Sequence, residues 1–206
     1  MNPPETVDKW YKVLKAFKAK DPNGNGKQDE IPFSNAAMPS NTFSWQGFIV
    51  GVWGIIPAFY QENGKVKYGV TQPQFKQFAE TIRKWYKEGL LDPGMLAPDS
   101  KRWEAKILNN EIGSWVGLGG GNLARFLNIK RNQEHDNVFD IVAVQYPTLK
   151  KGETPEFGQM DFRAGPGGAA ITTQCQDIPL AMKILDWGYS KEGYMTFNFG
   201  ILGKTI

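Results

Sequence analysis

The 206-residue sequence has one cysteine, Cys175, and one histidine, His135. It therefore cannot close an internal disulfide, and it offers no His-x-x-x-His or Cys/His pairing for a zinc site or a thiol nucleophile. A single cysteine suits a cytosolic protein and a Gram-positive exported one equally. No apolar run is long enough to span a bilayer. Charge of one sign is scarce too: 24 Lys and Arg face 21 Asp and Glu, a formal net charge of +3. The two signs are interspersed along the sequence with no block of like charge, which argues against a nucleic-acid surface. The start, Met1 to Glu5, has no signal-peptide pattern, so export would need a signal outside this chain.

These absences argue against catalysis. There is no G-x-S-x-G elbow, and His135 lies in the polar run Asn132–Asp136, where a solvated loop residue is expected. Gly117-Leu118-Gly119-Gly120-Gly121 lacks the third glycine of a dinucleotide fingerprint and a following acidic residue. Spacing alone neither identifies nor excludes a glycosidase carboxylate pair.

Aromatics, by contrast, are plentiful: 13% of residues, with seven tryptophans, more than a core of this size needs. Hydrophobic residues make up 41%, enough for a packed core. Trp10, Val13, Leu14 and Phe17 recur at helical spacing and predict a helix over 7–19 capped by Thr6. A buried helix is expected over 42–57. Asn63-Gly64 between two β-prone runs predicts a hairpin. Thr71 should cap a long helix carrying Phe75, Phe78, Ile82 and Trp85, closed by Gly89 in the left-handed conformation. A third helix is expected over 101–109, a short one near Leu123 and Phe126, and two more over 178–189 and 191–199. Strands are expected over 112–116, 139–144 and 169–172, with a loop or interlobe crossing at 148–160. The alternation points to the α/β class.

The sharpest motif is Asp21-Pro22-Asn23-Gly24-Asn25-Gly26-Lys27-Gln28-Asp29-Glu30, which has the D-x-N-x-N-G spacing of a calcium loop. Ca²⁺ takes six to eight oxygens at about 2.3–2.6 Å. Asp21, Asn23 and Asn25 can aim alternate side-chain oxygens at one point, and Gly26 permits the sharp turn. Lys27 would offer its backbone carbonyl, and Asp29 and Glu30 the remaining carboxylates. The twelfth position is Pro32 rather than a bidentate Glu, so the loop departs from an EF-hand at its end. The bland alternative is a solvated Asx/Gly turn.

Read with its flanks, Trp10 to Lys20 and Ile31-Pro32, this stretch resembles the family 1 extracellular solute-binding proteins of ABC transporters. Gly64-Lys65-Val66, Trp85-Tyr86-Lys87-Glu88-Gly89-Leu90-Leu91-Asp92-Pro93, Gly168 to Thr173 and Leu185 to Gly193 agree in order. The resemblance implies a type II periplasmic-binding-protein fold, bound Ca²⁺ at this loop and a chain about half the family's length. Residues 1–160 would be mainly the second lobe, and 161–206 the crossing and a returning segment of the first. It further implies a bacterial cell-surface lipoprotein or periplasmic protein, anchored by a lipid outside this chain, monomeric, and serving ABC permease subunits. The ligand would be a carbohydrate in the interlobe cleft. Trp115, in Gly113-Ser114-Trp115-Val116-Gly117, and Trp45 resemble cleft aromatics, Trp53 reads equally as cleft or core, and Arg163 beside Asp161 is a weaker ligand contact or a surface ion pair. A peptide or other solute as ligand, and a calcium-stabilised interaction module, remain the alternatives.

Overall fold

The computed structural model describes residues 3–35, 49–96, 99–157, 168–201 and 203–204. The chain divides into two compact units, Met1–Met160 and Asp161–Ile206.

In the first unit, helix α1 (Val7–Ala19) begins where the Thr6 hydroxyl accepts the N–H of Lys9 at 3.3 Å. It turns Trp10 and Leu14 inward. A hairpin follows, β1 (Phe59–Glu62) antiparallel to β2 (Lys65–Tyr68), with Asn63 and Gly64 both at positive φ as the tight turn requires. Helix α2 (Gln74–Lys87) buries Phe78 and Trp85. It stops because Gly89 adopts φ +66°, which lets the Leu90 N–H reach back to the Trp85 carbonyl at 2.9 Å. Helix α3 (Ser100–Leu108) is capped by Asp99, whose carboxylate accepts the N–H groups of Lys101 and Arg102. Helix α4 (Arg125–Asn128) is one turn flanked on both sides by wider, π-type turns, so the helical stretch runs from Gly119 to Gln133.

Two apolar clusters form. The larger joins α1 and α2 through Trp10, Leu14, Phe78 and Trp85, together with Phe33, Val50 and Trp53. The smaller joins α3 and α4 through Trp103, Ile107, Phe126 and Phe139. Between them runs the segment after the Asp21–Glu30 loop. Ile31 makes a parallel bridge to Ile112, and Phe33 one to Leu91. Pro32, fully buried, sits between them. It has no N–H to donate and the chain bends there, so the two bridges face opposite neighbours.

The expected α/β architecture is met only in part. Among the described residues, the only strands are those of the two-stranded hairpin, and the rest is mostly helical. Segment 112–116 keeps a single bridge, and 139–144 and 169–172 have no regular secondary structure. Two more expectations change. Thr71 does not cap α2: it lies in a 3₁₀ turn and its hydroxyl donates to the Tyr68 carbonyl. Of 42–57, only 49–57 lies within the described residues, where Val50–Trp53 forms one 3₁₀ turn ended by Gly54 at φ +65°.

In the second unit, α5 (Ile178–Trp187) is capped by Asp177 and α6 (Lys191–Phe199) by Ser190. Trp187 meets Phe197 edge-on at 5.4 Å. Ile178, Leu180, Met182 and Ile184 each stay more than half exposed.

Asp92 links the bridges to α3. Its carboxylate accepts from the Ser34 hydroxyl at 2.7 Å, the Gly94 N–H at 2.8 Å and the Lys106 ammonium at 3.3 Å. Burial pushes the acid up, but these three donors outweigh it and hold the carboxyl below its ordinary value. The Asp92 contribution to stability is thus present above the unfolded value near 3.9 and is lost as pH falls through the lower folded value. Asp92→Ala should cost about 1–3 kcal/mol in urea unfolding at neutral pH, since it strands Ser34 and a largely buried lysine. Asp92→Asn should remove part of the stability loss below pH ~4.

Candidate functional site

The Asp21–Glu30 loop is built by its own side chains. Asp21 accepts the Asn25 N–H at 3.1 Å and the Gly26 N–H at 2.7 Å. Asn23 also accepts the Asn25 N–H, at 3.0 Å, and Asn25 accepts the Lys27 N–H at 2.8 Å. The Asp29 carboxylate receives the amide of Asn25 at 3.1 and 3.2 Å and that of Asn23 at 3.5 Å. Gly26 turns the chain at φ +74° with open space around it, so the glycine answers a conformational need rather than a steric one. Asp21, Asn23, Asn25 and Asp29 are thus drawn together, with Lys27 held through its backbone.

Glu30 differs from these. Its Oε1 is buried with no hydrogen-bond partner. An unpaired buried carboxylate oxygen is costly, and an ion is one of the few things that relieves it. Among the described residues no three His, Cys, Asp or Glu side chains gather as a metal cluster. A cation here would therefore depend on amide and backbone oxygens as well as carboxylates, the donor set a hard divalent ion accepts. The residues fit such an ion.

The loop is fastened to a distant segment. The Asn23 amide donates to the Asn110 carbonyl at 3.2 Å, and the Ile31 N–H to the Glu111 carbonyl at 2.8 Å. Asn110 lies 87 residues from Asn23, so no local sequence signal marks it. Further along, Ser34 N–H reaches Ser114 O at 3.1 Å, and the next residue is Trp115.

Trp115 is half-buried. Its ring meets Trp103 edge-on at 6.3 Å and Phe126 at 6.3 Å, and those two meet at 5.9 Å. A Cβ on Gly117 would lie 3.1 Å from the indole nitrogen of Trp115, so this position favours glycine. Trp115 lines a cavity of about 520 Å³ bounded by Trp10, Phe17, Asn23, Glu30 and Val142, and also a second of about 220 Å³. The larger volume falls in the range of small-molecule sites. Sequence reasoning found the loop and Trp115 separately but not the cavity they share. Trp53 packs in the larger core, 9% exposed and edge-on to Phe78 at 5.9 Å. Trp45 and Arg163 lie outside the described residues.

No protein-family model matches the chain. Individual relatives do. Lipoprotein LipO of Bacillus subtilis is 27% identical over 210 residues, covering 98% of this chain and 40% of LipO. The fructooligosaccharide ABC transporter substrate-binding protein FusA of Streptococcus pneumoniae is 34% identical over 209 residues, covering 97% of this chain and 36% of FusA. The structure of the alginate-binding protein AlgQ2 without calcium ion superposes with a TM-score of 0.63 at 27% identity, covering all of this chain and 41% of AlgQ2. The fold thus matches that of solute-binding proteins although its sheet is short. The chain spans about two fifths of the length of the curated relatives it matches. It is a homologue of the extracellular solute-binding proteins of ABC transporters, a non-enzymatic class.

Proposed function

We propose that this chain is part of the substrate-binding component of an ABC importer that captures an extracellular oligosaccharide at the bacterial cell surface. The observation that carries the ligand class is the 34% identity, across almost the whole chain, to a protein named for fructooligosaccharide binding. The half-buried Trp115 beside a cavity supports it, since sugars stack their C–H faces on aromatic rings. In this reading Trp115 is the ligand-stacking residue. Trp45 and Arg163 are proposed as further ligand contacts from sequence alone, and Trp53 serves the core. Permease subunits are the protein partners, and a lipid anchor outside this chain holds the protein at the surface.

Residues 1–160 form the second lobe, and 161–206 contribute to the first. The apolar side chains that α5 leaves exposed agree with this, because such a face needs further polypeptide to cover it. A ligand that fits the family's closed arrangement better than its open one shifts such a protein toward closure.

The Asp21–Glu30 loop holds one Ca²⁺. Asp21, Asn23, Asn25, Asp29 and Glu30 supply side-chain oxygens, and Lys27 its carbonyl. The ion neutralises the carboxylates and clamps the end of α1 to the Asn110–Glu111 turn, a structural role. The unpaired Glu30 Oε1 and the converging loop side chains support this reading.

Two measurements test the proposal. EDTA should lower the melting temperature and calcium restore it. At a hundredfold excess of calcium over Kd the gain is about 2.7 kcal/mol, or roughly 5–10 °C. An unchanged melting curve, with no calcium by elemental analysis, removes the metal assignment. For the ligand, tryptophan fluorescence is followed against fructooligosaccharides, alginate oligosaccharides and peptides. A sugar should give a saturable change, weakened about tenfold by Trp115→Ala, one stacking contact of about 1.4 kcal/mol. Saturation by a peptide and by no sugar overturns the carbohydrate assignment.

A further inference from the structure

Charge in this chain is segregated in a way that its small net charge conceals. The residues from Val7 to Lys20 and from Gln74 to Glu88 carry nine Lys and Arg against three Asp and Glu, whereas the rest of the chain is net acidic. The structure joins these two stretches side by side. The Tyr11 hydroxyl of α1 donates to the Glu88 carboxylate at the end of α2, at 2.7 Å. Lys15 reaches the same carboxylate at 3.4 Å, and Lys18 donates to the Glu88 carbonyl at 2.5 Å. Lys84 lies 4.1 Å over the Tyr11 ring. Lys15, Lys18 and Lys84 are exposed at this seam, and Lys12 and Lys87, on the same two helices, are exposed as well.

Glu88 is the one carboxylate at the centre, and it is already engaged. The Tyr11 hydroxyl, with help from the Lys15 ammonium, outweighs desolvation and holds the Glu88 carboxyl below the ordinary value, so the group is engaged by its neighbours. Lys12 and Lys87 make no ion pair among the described residues. Like charges held together cost free energy unless an anion meets them. Here two helices hold them in one surface, which suits a broad polyanion rather than a single small ion.

We infer that the α1/α2 face is an electrostatic docking surface for anionic phospholipid headgroups. A lipid surface is favoured over an acidic protein because the partner must be extended and multiply charged, and neither cavity described above is lined by these lysines. A protein tethered at a membrane also meets headgroups at high effective concentration. The setting rests on the cell-surface reading, and LipO, a relative across 98% of this chain, is named a lipoprotein. Lysines near an anionic bilayer strengthen binding roughly fivefold each, an attraction that falls off within a Debye length.

The test is sedimentation of the 206-residue chain with vesicles, in the absence of sugar and added metal. Its outcome is therefore independent of the ligand and calcium assignments. The chain should co-sediment with vesicles of equimolar phosphatidylcholine and phosphatidylglycerol, not with phosphatidylcholine alone, and molar salt should release it. Lys12→Gln/Lys87→Gln should weaken binding roughly 25-fold, with the circular dichroism spectrum unchanged. Lys101→Gln/Arg102→Gln, on α3, should leave it as it was. Equal binding to both vesicle types, equal loss in the α3 variant, or binding to polyglutamate with none to vesicles would each overturn the inference.

Discussion

Five residues, Ile31 to Asn35, hydrogen-bond to both sides at once, and the rest of the first unit is arranged around them. Ile31 gives its N–H to Glu111 and receives that of Gly113, whereas Phe33 gives its N–H to Leu90 and receives that of Asp92. The Pro32 carbonyl accepts the Ser114 hydroxyl at 2.7 Å, and the Asn35 side chain accepts the Val116 N–H at 3.3 Å. Pro32 to Asn35 are buried, and buried backbone polar groups must find partners within the protein. Satisfying them fixes where α2 and α3 come to an end, since the accepting carbonyls lie just past each helix.

That constraint explains which parts of the fold were legible. The helices announce themselves because their apolar stripes fall at helical spacing, and Trp10, Leu14, Phe78, Trp85, Trp103 and Ile107 do turn inward. The hairpin is legible because Asn63 and Gly64 suit positive φ. The strands were not. Phe139 to Val144 is apolar at every position but Asp140, yet pairing depends on a partner elsewhere in the chain, and Val142 remains 72% exposed. Ile31 to Asn35 carried no strand expectation, because its bridge partners Leu91 and Ile112 lie far along the chain. Thr71 was misread for a related reason: the capping pattern is local, but the 3₁₀ turn at Gly69–Thr71 claims its hydroxyl first.

At the candidate site the same division holds. The loop is a local device, ten residues bonded chiefly to one another, so spacing alone shows it. The aromatic trio of Trp103, Trp115 and Phe126 is assembled from three separate segments. Composition shows only that tryptophan is abundant. Which of them face a cavity depends on backbone pairing that spacing cannot supply, and Trp53 and Trp115 consequently diverge, the first into the core and the second to a cavity wall.

The loop and Trp115 are not independent features placed near each other. Three contacts in succession connect the stretch leaving the loop to the stretch entering Trp115: Asn23 to Asn110, Ile31 to Glu111 and Ser34 to Ser114. Both stretches line the same cavity, through Asn23 and Glu30 and through Ser114 and Trp115. Interiors are close-packed and transmit strain rather than absorbing it. A displacement of the loop therefore cannot stop at Ile31. It must either break backbone hydrogen bonds in a buried segment, at about 1–3 kcal/mol for each group left unpaired, or carry the 110–115 segment with it. The second course is the less costly, so the electrostatics of a polar surface loop and the orientation of an aromatic ring are bound into one mechanical unit.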